Sequence, residues 1–355
     1  MKKVGIIIAV LLIVLCLILG GYYAWGMTAV SKENTIKTFI IEPGTSKKTV
    51  AENLEKAGLI HSKYPLIVYL FFNGSNIQAG EYELSTNMTP SEMIKKFASG
   101  EVKINSTTVL LVEGKRLTDY ANTLAENLNF SSKEFLAQAN DKEYLKTLID
   151  EGEFWFLTDE ILNEEIYYPL EGYLYPDTYE FLETASPKDV IETLLNHTKA
   201  KLESVKSDIE NSPYSVHEIL ALASMVEKEA NSKSDREMVA QVFLTRLKEN
   251  WSLGSDVTTY YGAQKEIGKD ELTWNELNDS NPYNTRLTDG SMNGKLPIGP
   301  ICNPSITRIE AVLHPSNTNY YYFVANVCTG EVFFQTTSEE FSKKNTELSQ
   351  VCSGN

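Results

Sequence analysis

Val216-His217-Glu218-Ile219-Leu220-Ala221-Leu222-Ala223-Ser224-Met225-Val226-Glu227-Lys228-Glu229-Ala230 is the stretch on which the reading of this chain turns. It is almost unbroken apolar sequence from Ile219 to Val226 and then stops abruptly at Glu227, Lys228 and Glu229. A helix of that composition must be enclosed by other elements, so a sizeable core is expected around it. Val216, Leu220 and Ala223 precede Glu227 by eleven, seven and four residues, which sets its carboxyl on the continuation of an apolar face. A carboxyl beside apolar surface resists ionising and can carry a proton near neutral pH, as general-acid work requires. The bland alternative makes Glu227 and Glu229 the solvated end of a core helix. Glu229 points to a different helix face and reads as structural.

C-terminal to this stretch, Ser234-Asp235-Arg236-Glu237 has the form of a capping box opening a second helix, with Val239, Val242, Phe243 and Leu247 on one stripe. The two helices are expected to pack together. Beyond Gly254 the regular pattern fades into ring and hydrogen-bonding residues: Asp256-Val257-Thr258-Thr259-Tyr260-Tyr261-Gly262, Asn281-Pro282-Tyr283-Asn284-Thr285 and Leu296-Pro297-Ile298-Gly299-Pro300. Long loops on a rigid scaffold usually bind something. Tyrosine, asparagine and aspartate suit sugars, and an acid facing such loops suggests glycan cleavage.

N-terminal to it, two similar segments lie at a constant offset of seventy. Phe39-Ile40-Ile41-Glu42-Pro43-Gly44 matches Leu110-Leu111-Val112-Glu113-Gly114 as a strand ending in a glycine turn. Ala51 and Leu54 then align with Ala121 and Leu124, Ile60 and Ser62 with Phe130 and Ser132, and Leu66 with Leu136. Each segment reads strand, turn, helix, loop, helix, a small α+β module. In the first, Gly80-Glu81-Tyr82-Glu83-Leu84 reads as a further strand, and Thr89-Pro90-Ser91-Glu92 caps a helix through Phe97 that ends at Gly100.

At the N-terminus, Val4 to Ala24 holds no charge, and about 20 apolar residues suffice to cross a ~30 Å hydrocarbon core. Lys2 and Lys3 before it, with Tyr22, Tyr23 and Trp25 at its far end, point to a short cytoplasmic tip and an exported body. A cleaved signal peptide is the competing reading, but its apolar core is usually only ~7–15 residues long. A formal charge of −16, from 48 acidic and 32 basic residues, argues against nucleic acid and against lying flat on anionic lipid. His61, His197, His217 and His314 are scattered and no CxxC occurs, so metal-site spacings and any cofactor loop are missing from the sequence. Cys302, Cys328 and Cys352 fall in the exported part, where one disulfide of unspecified pairing is expected.

Taken in order and spacing, these strings resemble the YceG-like (MltG) endolytic murein transglycosylases over nearly the whole chain. The anchors are Glu42-Pro43-Gly44, Gly80-Glu81-Tyr82, Glu171-Gly172-Tyr173-Leu174-Tyr175-Pro176-Asp177-Thr178-Tyr179 and Ala223-Ser224-Met225-Val226-Glu227-Lys228-Glu229. Further on come Asp256-Val257-Thr258, Tyr261-Gly262, Tyr283-Asn284-Thr285, Leu296-Pro297, Gly299-Pro300-Ile301, His314-Pro315 and Tyr322-Phe323-Val324. The chain departs from the pattern at Val332 and Phe341, where the family often has histidine.

The resemblance implies an α+β protein: a cytoplasmic tip over 1–3, a transmembrane anchor over 4–26, a LysM-like module over 37–104, a second repeat-like unit over 105–165, and a catalytic region over 166–350. It implies cleavage, without water, of the β-1,4 bond between N-acetylmuramic acid and N-acetylglucosamine, leaving a 1,6-anhydro end. The catalytic glutamate falls on Glu227. Glu171, Asp177, Asp256, Thr258, Tyr261, Tyr283 and Asn284 become candidates to line the cleft or hold its loops. Peptidoglycan is the implied partner, with cell-wall synthases beside it. The rival readings are a hydrolase of the same glycan using Glu227 and Asp256, and a non-catalytic wall-binding scaffold.

Overall fold

The computed structural model describes residues 2–41, 45–74, 77–100, 106–230, 233–326 and 328–352, with side chains described except at 2–9, 233–234 and 351–352. The chain is α+β and divides into two compact units, Met1–Asn105 and Ser106–Asn355.

In the first unit, α1 (Lys2–Gly26) precedes β1 (Ile36–Ile41), α2 (Lys47–Lys56), α3 (Lys63–Asn73), β2 (Gly80–Ser85) and α4 (Pro90–Ser99). β1 and β2 pair antiparallel with Phe39 opposite Tyr82, and the helices bury Val50, Ala51, Leu54, Leu66, Ile94 and Phe97 against them. Thr89 and Glu92 form the expected capping box, Pro90 takes the first helical turn, and Gly100 ends α4 at φ +72°. The expected Glu42-Pro43-Gly44 turn lies outside the described residues.

Among the described residues no helix is long and apolar enough to cross a membrane. Side chains of α1 are described only from Val10, so the first part of the Val4–Ala24 run lies outside them.

The second unit opens with the same plan. β3 (Ser106–Leu110), α5 (Leu117–Asn127) and α6 (Ser132–Ala139) are followed by α7 (Lys142–Glu151) and a 3-10 turn (Asp159–Leu162), then β4 (Thr178–Leu182) and α8 (Pro187–Leu202). β3 and β4 pair antiparallel with Val109 opposite Tyr179. Phe39 and Val109 are 70 positions apart, whereas Tyr82 and Tyr179 are 97 apart. The added residues hold α7 and the 3-10 turn, so a comparison at one fixed offset stops at α6 although the repeat continues.

Two details mark the continuation. Tyr82 OH donates to the Gln78 carbonyl at 2.9 Å and Tyr179 OH to the Tyr175 carbonyl at 2.6 Å, each four residues back. Ser186, Pro187 and Asp189 open α8 as Thr89, Pro90 and Glu92 open α4.

The unit continues with α9 (Lys206–Glu210), α10 (Val216–Glu229), α11 (Lys233–Lys248), α12 (Asp256–Gly262), α13 (Trp274–Leu277), α14 (Ile306–Leu313), β5 (Tyr322–Ala325), β6 (Val332–Gln335) and α15 (Ser338–Cys352). α10 is buried from Ile219 through Val226 and packs against α11, α12 and α14. Its N-terminus is fixed by a capping box between Ser215 and Glu218. α11 begins at Lys233, so Ser234 lies inside the helix and not at its cap.

β5 and β6 form a hairpin in which Val332 is buried and Tyr322 stacks on Phe341 at 5.4 Å. Cys328 is disulfide-bonded, whereas Cys302 is buried and free, which removes a Cys302–Cys328 pairing.

Candidate active site

α10 and α14 meet end to start, and Glu227 lies at that junction. Its Oε2 accepts from both the N–H and the hydroxyl of Ser305, the N-cap of α14, each at 2.9 Å. Its Oε1 lies 3.1 Å from Arg308 Nη2, with the two side chains 4% and 15% exposed. A carboxylate at a helix start is favoured by the helix dipole as well as by these donors. The surroundings expected from the sequence were apolar. The structure instead supplies a guanidinium and a serine to the carboxyl, while the stem continues the apolar face.

Loop residues of the second repeat cover that stem. Gly114, at φ +71°, is the turn glycine after β3, and a Cβ there would lie 3.4 Å from Glu227 Cγ. Lys228 Nζ donates to the Gly114 carbonyl at 3.3 Å, and Gly114 N–H donates to the Asn303 carbonyl at 2.9 Å. Asn303 is a hub: its Oδ1 accepts from the N–H groups of Gly172 (3.0 Å) and Leu174 (3.2 Å), and its Nδ2 donates to the Lys115 carbonyl at 3.2 Å. Gly172 has φ +84°, and a Cβ on it would fall 2.4 Å from Pro300 Cβ, so only glycine fits this approach.

Glu171 is buried, with Leu117 N–H (2.9 Å) and Tyr261 OH (3.1 Å) donating to it. Burial pushes its carboxyl up to about 8. Glu229 accepts from Ser255 Oγ at 2.8 Å, and desolvation raises it to about 7.

Thr258 donates to the Ser255 carbonyl at 2.8 Å and shares a 2.8 Å hydroxyl contact with Thr285. Asn284 accepts from Thr259 at 2.8 Å and donates to the carbonyls of Leu277 and Asp279. Tyr283 lies against Tyr167 and Tyr261, with ring centroids at 5.0 and 4.8 Å.

Glu171, Thr258, Tyr261, Tyr283 and Asn284 are each 1% exposed or less and converge on one buried scaffold. Asp177 stands apart, at the start of β4. Thr178 N–H, His197 and Lys201 hold its carboxyl down at about 2. Asp256 is exposed at the start of α12, paired with Arg286.

Beside the Gly114–Lys228 contact opens a cleft of about 230 Å³ lined by Lys115, Arg116, Lys228, Tyr260 and Ile301 among others. A larger cavity of about 1100 Å³ lies at the other end of α10, around His217 and Glu218. At ~1.5 Å per residue that is about 15 Å from Glu227, so cavity size alone does not point to the chemistry. His217 is built into the fold there: Nε2–H donates to the Ile298 carbonyl at 2.8 Å, leaving Nδ1 to accept from Tyr173 OH at 2.7 Å. No group of His, Cys, Asp and Glu able to hold a metal occurs among the described residues.

Ser305, Arg308 and Asn303 were not singled out by sequence reading, and Gly114 only as the glycine of the turn after the second repeat's strand. A serine before the apolar spacing Ile306, Ile309, Val312 signals an N-cap, but nothing local says which carboxylate the helix start receives.

The YceG-like family model matches residues 39–347. A protein of Bacillus subtilis (strain 168) named endolytic murein transglycosylase is 35% identical over 333 residues, covering 92% of this chain and 90% of its own. A Streptococcus pneumoniae (strain D39) protein of the same name is 27% identical, and the match takes in 96% of this chain but 64% of the relative. A crystal structure of a yceG-like protein from Listeria monocytogenes superposes with a TM-score of 0.61 at 31% identity, covering 88% of this chain and 99% of that one. With a family match over most of its length and a relative aligned nearly end to end, this chain belongs to the YceG-like family.

Proposed function

We propose that this chain is a membrane-anchored lytic transglycosylase that cuts within peptidoglycan strands, with Glu227 as the proton-transferring group. The reaction class rests on relatives named endolytic murein transglycosylase, of which the Bacillus subtilis protein aligns over 90% of its own length. The observation that supports Glu227 is its placement at the end of the buried helix, its carboxyl enclosed and oriented by Ser305 and Arg308, next to Gly114 and Lys228, which line a cleft.

In this reading Glu227 gives a proton to the glycosidic oxygen as the bond from muramyl C1 to that oxygen breaks. The carboxylate so formed takes the proton of the C6 hydroxyl as O6 bonds to C1. The proton count closes, no water enters, and the muramyl end is a 1,6-anhydro ring. A second carboxylate is unnecessary, unlike the paired acids of ordinary glycosidases. Arg308 and Ser305 hold the carboxylate in the orientation that the second half of the cycle uses. The buried Glu171, Thr258, Tyr261, Tyr283 and Asn284 fix the loops around the cleft, and Asp256 is the candidate with a side chain open to a sugar.

The anchor is supported by the uncharged Val4–Ala24 run, by α1 continuing through it, and by the exposure of Val10–Leu15 and Leu17–Leu19 around the helix, since a helix apolar all round needs an apolar surround. Lys2 and Lys3 before the run support a tip in the cytoplasm and a body on the wall side. The strand–helix–helix–strand order of the first unit supports the LysM-like reading.

Mass spectrometry of fragments released from purified peptidoglycan tests the reaction. Anhydro-muramyl ends at internal positions are expected, whereas reducing muramyl ends would replace this reading with a hydrolase.

A further inference from the structure

We infer that the outer face of α3 is a membrane foot: Tyr64, Val68, Phe71 and Phe72 seat in the headgroup region of the bilayer that holds α1. The inference rests on the anchor reading and adds a second contact to it. Positions 64, 68, 71 and 72 are spaced i, i+4, i+7, i+8 and share one helix face. The opposite face buries Pro65, Leu66 and Leu70 in the module core, while Phe71 and Phe72 are 82% and 79% exposed and Tyr64 and Val68 are also exposed. Four large apolar side chains left in water on one short helix call for a partner.

The same unit says which partner. The start of α3 is packed on the last turns of α1. Trp25 stacks on His61 with centroids 4.6 Å apart, Tyr22 OH meets Ser62 Oγ at 2.8 Å, and a Cβ on Gly26 would strike Pro65 Cγ at 2.3 Å. α3 therefore begins at the level of Tyr22 to Gly26, where α1 changes from aliphatic to aromatic residues and meets the interface. Laid along that boundary, its aromatic stripe has an apolar medium to enter.

Charge agrees. Residues 1–105 carry 11 lysines and 8 glutamates, a net of +3, so the −16 of the chain arises from −19 on residues 106–355. The repulsion from anionic lipid expected of the whole chain belongs to the second unit. Lys47 and Lys48 line the same surface hollow as Phe71, in reach of anionic headgroups.

The test uses the full chain with Cys16→Ser and Phe71→Cys, labelled with an environment-sensitive fluorophore, in phosphatidylcholine–phosphatidylglycerol vesicles at less than one chain per vesicle. Cys302 is buried and Cys328 is disulfide-bonded, and the Cys16→Ser chain without a new cysteine, labelled in parallel, gives the background from Cys352 to subtract. Ile40→Cys, on the uncovered face of the sheet, is the water-exposed control. The foot predicts blue-shifted emission at 71 and quenching by shallow spin-labelled lipid at least about threefold stronger than at 40, with iodide quenching reduced in the same ratio.

If the chain floats with the vesicles but both labels respond alike to iodide, the foot is wrong and the anchor stands. A shift at 71 that needs several chains per vesicle and is insensitive to quencher lipid makes the face a contact between copies, which also overturns the proposal. A chain that does not float overturns anchor and foot together.

Discussion

Glu227 and Arg308 form a nearly enclosed ion pair, Oε1 to Nη2 at 3.1 Å, in which the carboxylate's other oxygen is taken up by Ser305. The guanidinium is spread over several partners, reaching the Ala230 carbonyl at 3.4 Å and Thr307 Oγ1 at 3.1 Å. The residue proposed to move the proton therefore also ties the end of α10 to the start of α14. Catalytic and structural effects of changing it must be measured separately.

Glu227→Gln should lower glycan cleavage on the order of 10³-fold, because the amide is nearly isosteric but cannot transfer the proton. It also leaves Arg308 enclosed without its counter-charge, at a cost of about 3 kcal/mol. Thermal melting should show a drop of several degrees, so activity must be assayed well below the new midpoint. Adding Arg308→Met should restore much of the melting temperature without restoring cleavage. Activity returning with stability would instead assign Glu227 a structural role.

Ser305→Ala keeps the backbone N–H and removes one of the two hydrogen bonds to Oε2. A hydrogen bond to a charged group contributes about 1.5–3 kcal/mol, so a roughly tenfold or larger fall in kcat is expected, with KM little changed. Steady-state kinetics on soluble glycan strands separate the two. A rise in KM with kcat intact would place Ser305 in binding the sugar and not in orienting Glu227.

The position of Glu227 at the end of a buried helix was legible in the sequence, because an apolar run ending in a charge is a local signal. Its partners were not. Ser305 lies 78 residues away, brought in by the packing of α14 on α10, and no periodicity links two helices so far apart in sequence. The polar and aromatic loops around Tyr261, Tyr283 and Asn284 left two readings open in the sequence, contact with sugar or support of the loops themselves. In the structure Asn284 and Thr258 spend their hydrogen-bonding groups on neighbouring loop atoms and the tyrosines stack on one another, while the buried Tyr283 hydroxyl is left without a hydrogen-bond partner among the described residues. Composition reports that a loop can form such bonds and not whether solvent or protein receives them. The repeat was legible up to α6 and hidden beyond it by an insertion that shifted the register.

Glu171 makes stability depend on pH in a direction opposite to that of a salt-bridged acid. Its carboxyl is raised from an ordinary 4.5 to about 8 by burial. Below about pH 4.5 both folded and unfolded chains hold the proton and the full stability is present. Between about 4.5 and 8 the unfolded chain releases it and the folded chain keeps it, so stability falls as pH rises, by up to ~1.4 kcal/mol per pH unit. Glu229, raised to about 7, acts in the same sense. Glu171→Gln offers an oxygen to Leu117 N–H and an amide to Tyr261, so it should fold, stay active, and flatten the decline in melting temperature from pH 5 to 8. A slope equal to the parent's would remove Glu171 as its source.

Asp256 separates the two glycan-cleaving readings. In a hydrolase it would activate the water, and its neutralisation would cost as much as that of Glu227. In the transglycosylase the nucleophile is the substrate's own C6 hydroxyl, so Asp256→Asn should keep anhydro-muramyl products and reduce the rate by no more than about tenfold, through sugar positioning alone. The exposed pair with Arg286 contributes at most about 1 kcal/mol, so the variant should melt close to the parent and any kinetic effect can be read directly. Chromatography with mass detection distinguishes the anhydro end from the reducing end by one water. A rate loss matching that of Glu227→Gln, or reducing ends from the parent enzyme, would transfer the second catalytic role to Asp256.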